Sequence, residues 1–221
     1  TTRYTNRNEA MYRNIYSYIE RVISARPGNY MVFFPSYAML EKVHVLTEEL
    51  PESLGVEVIA QEQYMTESDR ESFLRAFEEK DNVLALCIMG GIFSEGIDLT
   101  GDRLIGAIIV GPGLPQVCTE RKLMMDYFDS RTAADEKEAA SDRNGFRYAY
   151  QYPGINKVFQ AAGRVIRTET DQGIILLIDE RFATRRYTEL FPVEWNDSVI
   201  CNMQNVDGIL EQFWDYKSKE I

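Results

Sequence analysis

Residues 160–167 read Gln160-Ala161-Ala162-Gly163-Arg164-Val165-Ile166-Arg167. If this stretch is helical, then Gln160, Arg164 and Arg167 share one face, because they are spaced at i, i+4 and i+7. Gly163 leaves no side chain beside that face, so another backbone or a ligand can approach closely. Two guanidinium groups one turn apart cannot neutralise each other, and their planar donors suit the oxygens of a phosphate. The stretch therefore predicts a nucleotide-binding helix, and the alternative is a solvated basic face.

The residues around the two arginines predict that the same helix belongs to the hydrophobic core. Val158 and Phe159 precede the arginines, and Val165 and Ile166 lie between them. The spacing resembles motif VI of superfamily 2 helicases, Gln-x-x-Gly-Arg-x-x-Arg. After it, an apolar strand ends in Asp179-Glu180-Arg181-Phe182, which is similar to the XPD/DinG branch of DNA helicases. Both features indicate the same family.

Two further stretches resemble motifs of that branch. Motif V is matched by Gly91-Ile92-Phe93-Ser94-Glu95-Gly96-Ile97-Asp98-Leu99-Thr100-Gly101-Asp102. Motif IV is matched, more weakly, by Gly28-Asn29-Tyr30-Met31-Val32-Phe33-Phe34-Pro35-Ser36-Tyr37. The three motifs come in the order of the family and extend from Gly28 to Phe182. The chain is thus identified as a member of the XPD/DinG-like superfamily 2 DNA helicases, in the C-terminal (second) RecA-like motor domain.

The resemblance implies roles for particular residues. The residues expected to be catalytic are Arg164, Arg167 and Gln160, and the two arginines are expected to act on the γ-phosphate of ATP as arginine fingers. Those expected to contact ATP are Gly96, Asp98, Gly163 and Glu95, with Asp98 facing the ribose. Those expected to grip single-stranded DNA are Ser36, Tyr37, Ser94, Arg147 and Tyr148. No metal ligand is expected in this chain.

Each of these residues also has an ordinary structural interpretation. Ser36 and Asp98 are residue types that cap helices and turns. Phe34 is expected to pack in the core rather than to stack on a base. Tyr148 lies near Arg147 in a mixture that suits single-strand contacts, but it equally suits surface packing.

Two motifs of the first motor domain are missing from the sequence. None of the 221 residues forms a Gly-x-x-x-x-Gly-Lys-[Ser/Thr] phosphate loop, and no Asp-Glu-x-His box follows a strand. The chain also begins at Thr1. It is therefore interpreted as one half of a larger motor, whose missing domain would hold Mg²⁺ while ATP binds between the two. On its own, the chain is expected to be inactive.

Composition limits the remaining possibilities. The net charge of −11 argues against a broad basic face for nucleic acid, although local contacts can still grip one strand. Cys87, Cys118 and Cys201 are too widely spaced to suggest a zinc site or a disulfide framework. Iron–sulfur clusters occur in the first domain of this family, but nothing here would ligate one. No apolar run is long enough to span a membrane, so a cytoplasmic location is expected.

Apolar strands alternate with helical patterns along the chain. Strands are expected at residues 30–34, 56–60, 82–88, 104–110 and 173–178, and helices at residues 6–25, 36–50 and 66–80. Such alternation predicts an α/β fold, a parallel sheet with helices on both faces. The resemblance implies the same RecA-like layout. One domain is expected over residues 1–221, with a helical insertion at 116–154 and a C-terminal helix over residues 191–221.

The sequence as a whole is interpreted as a motor domain of an ATP-dependent DNA helicase. The family implies 5′→3′ movement on single-stranded DNA and roles in DNA repair. One rival is a stand-alone module that holds nucleic acid or a partner without ATP turnover. The other is a small-molecule enzyme that binds a phosphorylated ligand at Arg164 and Arg167, with only Glu95 and Asp98 as candidate bases.

Overall fold

The computed structural model describes residues 1–93, 99, 103–134, 144–166 and 171–218. Within these residues, five strands form one parallel sheet in the order β2-β3-β1-β4-β5. The strands are β1 (Tyr30–Phe34), β2 (Glu57–Ala60), β3 (Val83–Ile88), β4 (Gly106–Val110) and β5 (Ile174–Ile178). The predicted RecA-like α/β sheet is confirmed.

Helices cover both faces of the sheet. They are α1 (Glu9–Ala25), α2 (Tyr37–Thr47), α3 (Glu67–Glu79), α4 (Thr119–Ala134), α5 (Tyr152–Ala162), α6 (Arg185–Thr188) and α7 (Val206–Ser218). Helices α3 and α5 pack with Met31 and Phe33 on one face. Helices α1, α2 and α7 pack with Tyr30, Val32 and Phe34 on the other. Because successive side chains of a strand point to opposite faces, β1 serves both cores.

The three central strands, β1, β3 and β4, are almost completely buried, which explains their continuous apolar sequences. Neighbouring backbones are closely fitted: a Cβ at Gly106 on β4 would lie 2.5 Å from Cδ1 of Tyr30 on β1. Only glycine leaves room for that ring. Phe34 is fully buried, so it belongs to the core and not to a base-stacking surface.

Helix starts follow their capping residues. The Asn8 side chain accepts a hydrogen bond from Met11 N at 2.9 Å and begins α1. Thr66 and Asp69 form a reciprocal capping box that begins α3. The C-terminal prediction needs correction, because helix α7 begins only at Val206. The preceding residues include Pro192 and a polar Asn-Asp-Ser run at residues 196–198, types that favour turns over helix.

The predicted insertion contains α4 and, after residues 135–143 that lie outside the described part, a segment that leads into α5. Arg147–Gln151 in that segment is a π-helix. No described side chain of α4 belongs to either core cluster of the sheet. The boundaries of the insertion at 116 and 154 stay a prediction.

Candidate functional site

Two loops lie side by side at the carboxyl edge of the sheet. Ser36 and Tyr37 follow β1, and Gly90 and Gly91 follow β3, its parallel neighbour. The pairing of these strands continues past their ends, since Met89 N donates to Phe34 O at 2.8 Å. This is the edge of an open α/β sheet where ligands usually bind.

Ser36 occupies the N-cap position of α2. Its hydroxyl makes no capping hydrogen bond, and Oγ is buried without a hydrogen-bond partner among the described residues. Ser36 therefore occupies the helix-capping position that the structural interpretation expects, but its side chain does not make the capping hydrogen bond. The first-turn amides of a helix favour anions, so a phosphate at this edge would meet both those amides and the Ser36 hydroxyl.

Tyr37 is tied to the neighbouring strands through Gln61, a residue that sequence reasoning missed. The Tyr37 hydroxyl donates to Glu62 O at 3.2 Å and accepts from Gln61 Nε2 at 3.0 Å. Gln61 is buried, and its Oε1 accepts from Ile88 N at 2.9 Å. Gln61 directly follows β2. Because ligands bind at the carboxyl ends of parallel strands, its position in the sequence could have marked it as a candidate site residue.

Helix α5 connects the two edges of the sheet. At the carboxyl edge, a Cβ on Gly154 would lie 2.5 Å from Pro112 O, and one on Gly90 would lie 3.0 Å from the Lys157 side chain. At the opposite end, Val165 packs against Gly173, which directly precedes β5. The helix therefore runs antiparallel to the strands, and Arg164 lies at the amino edge, away from Ser36 and Tyr37.

The prediction that one helix carries both Gln160 and Arg164 is wrong, because α5 ends at Ala162. The last turn tightens: Arg164 N bonds Ala161 O at 3.3 Å and Val165 N bonds Ala162 O at 3.1 Å, both three residues back. Arg164 nevertheless stays near Gln160, since its Nε donates to Gln160 O at 3.3 Å. Gly163 is exposed at this turn.

The space beside Gly163 is lined by its own helix. A Cβ there would lie 3.2 Å from Phe159 O and 3.9 Å from Gln160 O. No other described element lies within 4 Å of that position, so the close approach expected at Gly163 is not made by another part of the described chain.

Several predicted site residues lie outside the described residues, namely Ser94, Glu95, Gly96, Asp98 and Arg167. Within the motif V stretch, the residues on either side of positions 94–98 are described. Phe93 is buried and stacks on Phe73 with ring centroids 4.1 Å apart, and Leu99 is buried in the same core cluster. The roles proposed for the motif V residues stay predictions.

Arg147 and Tyr148 lie on the π-helix that leads into α5 at the carboxyl edge. Tyr148 is 45% exposed, whereas Tyr150 turns inward and is only 7% exposed. Because the segment is helical, tyrosines two residues apart face different sides. The structure therefore brings Ser36, Tyr37, Arg147 and Tyr148 to the carboxyl side of the domain.

A buried carboxylate occupies the carboxyl end of β5. The Asp179 carboxylate accepts hydrogen bonds from Arg181 Nε at 2.6 Å and from Arg181 Nη2 at 3.0 Å. It also accepts hydrogen bonds from the Thr2 backbone amide at 2.6 Å and from the Thr2 hydroxyl at 2.7 Å. Burial alone would raise the pKa of Asp179, but the hydrogen bonds from Arg181 and Thr2 hold that pKa well below its ordinary range. Through these bonds Asp179 fixes the N-terminal segment on the end of the sheet.

The described residues contain no group of three or more His, Cys, Asp or Glu side chains placed to hold a metal ion. Cys87 is fully buried in β3, and burial raises the pKa of its thiol, as fits a small core residue. Across the same described ranges, no helix is both long and apolar enough to cross a membrane.

Comparison with known proteins identifies the family. The family model of the helicase C-terminal domain matches residues 19–198. The ATP-dependent DNA helicase CHL1 of Coccidioides immitis is 28% identical over 209 residues, covering 85% of this chain and 24% of that protein. The 3'-5' exonuclease DinG of Bacillus subtilis is 26% identical over 174 residues, covering 79% of this chain and 17% of that protein.

A solved structure of an XPD helicase superposes with a TM-score of 0.64 at 22% identity, covering 86% of this chain and 31% of that one. The fold is therefore that of an XPD helicase domain. The chain spans only 24% and 17% of the length of CHL1 and DinG, respectively. Within those limits the prediction from the sequence is confirmed: the chain belongs to the helicase C-terminal domain family, in its XPD/DinG-like branch.

Proposed function

We propose that this domain is the second motor domain of an ATP-dependent DNA helicase that moves 5′→3′ on single-stranded DNA. One observation carries the proposal. Arg164, which is expected to act on ATP, and Ser36 and Tyr37, which are expected to grip DNA, lie at opposite edges of one sheet, and helix α5 joins the two edges. A motor needs this separation, because hydrolysis in one place must move a strand held in another.

At the amino edge, Arg164 suits an anionic nucleotide. Arg164 is half-buried on the tight turn after α5, and its Nε bond to Gln160 O restricts the direction of the guanidinium. Together with Arg167 it would stabilise charge on the γ-phosphate, while the first motor domain would supply the phosphate loop and Mg²⁺. Gln160 and Gly163 lie at the same end of α5 and would complete this surface. The resemblance implies that Glu95, Gly96 and Asp98 would also contact ATP.

At the carboxyl edge, the grip on DNA would be local. The N-terminus of α2, with Ser36 and Tyr37, lies next to the loop that begins at Gly90. Ser94 continues that loop in the sequence, and Arg147 and Tyr148 lie on the same side of the domain. Backbone amides and a few side chains then hold phosphates and bases without a broad basic face.

Helix α5 would couple the two edges. Its first turns touch the glycine turns after β3 and β4 through Lys157 and Gly154, and its last turn positions Arg164. Because protein interiors are closely packed, a shift of helix α5 on closure of the ATP cleft would also displace the DNA-facing loops that it contacts.

We predict that the purified 221-residue chain does not hydrolyse ATP, with or without single-stranded DNA. The reason is the absence of a phosphate loop from its sequence, since that loop supplies most contacts to the β- and γ-phosphates. Release of inorganic phosphate would be followed at saturating ATP. A DNA-stimulated rate that persists after further purification would contradict the proposal of a second motor domain.

We further predict weak binding of single-stranded DNA with a shallow dependence on salt. A net charge of −11 leaves room for only a few phosphate contacts. If roughly three phosphates are contacted, log K against log salt should have a slope of about −2, because each contributes ~0.7 on a single strand. Fluorescence anisotropy with a labelled oligothymidylate measures this slope, and a slope several times steeper would require a different binding surface.

A further inference from the structure

A two-part helical segment precedes α5 at the carboxyl side of the domain. We define the arm as helix α4 together with residues 144–151. The described side chains of α4 are absent from both core clusters, so α4 is not needed to fill the interior of the domain, whereas Ala149, Tyr150 and Gln151 are buried. Its second half continues directly into α5, whose Gly154 lies against Pro112 at the carboxyl edge.

The two halves of the arm are firmly attached to each other. Arg121 Nη1 donates to Ala149 O at 2.6 Å, and Gly145 N donates to Asp129 Oδ1 at 2.9 Å. A Cβ on Gly145 would collide with Met125 O, so the backbones are as close as glycine allows. The arm is therefore organised before any ligand arrives, which lowers the entropic cost of binding.

Four aromatic rings form a continuous ladder across the arm. Tyr127 meets Phe128 edge-on at 5.4 Å between centroids, and Phe128 stacks on Tyr148 at 4.2 Å with an interplanar angle of 16°. Tyr148 then meets Tyr152 edge-on at 5.3 Å. The ladder therefore runs from α4 to the start of α5, beside the carboxyl edge.

Part of the ladder faces solvent. Tyr127 is 53% exposed and Tyr148 is 45% exposed. Positive charge accompanies the exposed rings: the Arg131 guanidinium lies 5.7 Å from the centroid of Tyr127, and Arg147 is the residue before Tyr148. Aromatic faces next to guanidinium groups are what single-stranded nucleic acid requires, because bases stack on rings while phosphates meet the cations.

We propose that this ladder is a base-stacking platform for single-stranded nucleic acid, with Tyr148 and Tyr127 as the rings that meet the bases. The inference rests on the proposed function, which already counts Arg147 and Tyr148 in the grip, and deepens it by assigning the aromatic ladder to the bases of the strand. A stacked pair such as Phe128 and Tyr148 already has the near-parallel arrangement of stacked bases, so an unpaired base extends the stack. Every base has a π-face, so this contact is tolerant of sequence.

A protein partner is the competing occupant, because Leu123 is also 64% exposed on α4. The position of the ladder beside the edge loops and its adjacent arginines favour nucleic acid. A protein contact would depend on the apolar residue, whereas a stacking site depends on the bases of the ligand. This difference can be measured directly.

The test compares two labelled 20-residue strands binding to the 221-residue chain at constant salt. One is oligothymidylate and the other has the same backbone with abasic tetrahydrofuran sites. We expect Tyr148→Ala and Tyr127→Ala each to weaken binding of oligothymidylate by about fivefold or more, in keeping with one lost base stack. Neither variant should alter binding of the abasic strand by more than about twofold, because phosphate contacts do not require the rings.

Matched variants separate stacking from loss of structure. Tyr148→Phe keeps the ring and should retain wild-type affinity, and circular dichroism checks that each variant is folded. Tyr4→Ala removes an 82% exposed tyrosine that also has an arginine over its ring but has no neighbouring ring in the described chain, so it should change nothing.

Two results distinguish the failure of this inference from the failure of the proposed function. If oligothymidylate binds but folded Tyr148→Ala and Tyr127→Ala variants keep its full affinity, the platform is wrong, while the proposed grip by the loops that follow β1 and β3 stands. Equal loss of both strands would likewise overturn stacking. If neither strand binds the wild-type chain at any salt tested, the proposed DNA grip itself fails, and the platform fails with it.

Discussion

Replacing Arg164 or Arg167 with alanine in a full-length helicase that contains this domain should lower the rate of ATP hydrolysis by roughly 10³- to 10⁵-fold, the range for arginine fingers. The loss should appear in kcat more than in the affinity for ATP, because these guanidinium groups would meet charge that develops only as the γ-phosphate leaves. Unwinding should be abolished with it. Steady-state ATPase assays with saturating single-stranded DNA give both parameters.

Lysine should rescue little at either position, since an ammonium group cannot reproduce the planar pair of donors. A matched control is Arg185→Ala on the short helix α6, which removes a 91% exposed guanidinium whose ion pair among the described residues is with Glu189. That variant should keep near-normal turnover. Near-normal ATPase in Arg164→Ala, or a loss explained entirely by unfolding, would show that Arg164 is not an arginine finger.

The fold should survive the replacement of Arg164. Its side chain belongs to neither core cluster, and the turn that carries it is held by backbone bonds from residues 163–165 to α5. Val165 next to it is buried and packs on Gly173, so the turn is anchored by an apolar residue and not by the arginine. Thermal unfolding should therefore shift by no more than a surface substitution would cause.

Much of the sheet could be predicted from the sequence because its strands are buried on both faces. Tyr30–Phe34 is an unbroken apolar run, and its predicted bounds are those observed. Helix starts were also predictable where a capping residue marks them, as Thr66 does for α3. Helix ends were less predictable: α5 stops at Ala162 because the chain tightens at Gly163, whereas the apolar pattern continues to Val165 and Ile166.

The arrangement of the site was harder to predict than the fold. Ser36 and Tyr37 directly follow one apolar strand and Gly90 follows another, so the rule that ligands lie at the carboxyl ends of parallel strands predicts that they lie together, as they do. The same rule says nothing of Arg164, which follows a helix. A helix that joins parallel strands must run back across the sheet, so its end lies at the amino edge. Motif spacing contains no information about that reversal.

Contacts between distant parts of the chain were beyond the sequence altogether. Thr2 and Asp179 are separated by 177 positions, and no local pattern links them. Gln61 likewise gains its role only when β2, β3 and the start of α2 are brought together. The roles of such polar residues can be identified only from their burial and hydrogen bonds, and the folded structure is needed to see both.

The Asp179 cluster should contribute strongly to stability. The Asp179 side chain is fully buried and that of Arg181 is only 18% exposed. Asp179→Ala would leave Arg181 without its carboxylate and release Thr2, and breaking one partner of a buried pair costs about 3–5 kcal/mol. Urea denaturation of the 221-residue chain measures the change. The control is Glu189→Ala, which breaks an exposed pair and should cost below ~1 kcal/mol.

The contribution of Asp179 should also depend on pH in a defined direction. Because the pKa of Asp179 is lowered in the folded state, its stabilising effect is fully present above the pKa of an unfolded aspartate, about 3.9. Below that value the unfolded state binds a proton more readily than the folded state, so stability falls as the pH drops toward the folded pKa.

The side chain of Asp179→Asn cannot titrate, so this variant lacks the pH-dependent contribution of the carboxylate to stability. The difference in unfolding free energy between wild type and Asp179→Asn should therefore be constant from pH 5 to pH 7 and shrink progressively below about pH 4. A difference that stays unchanged in acid would mean that the carboxylate is not held ionised by Arg181 and Thr2.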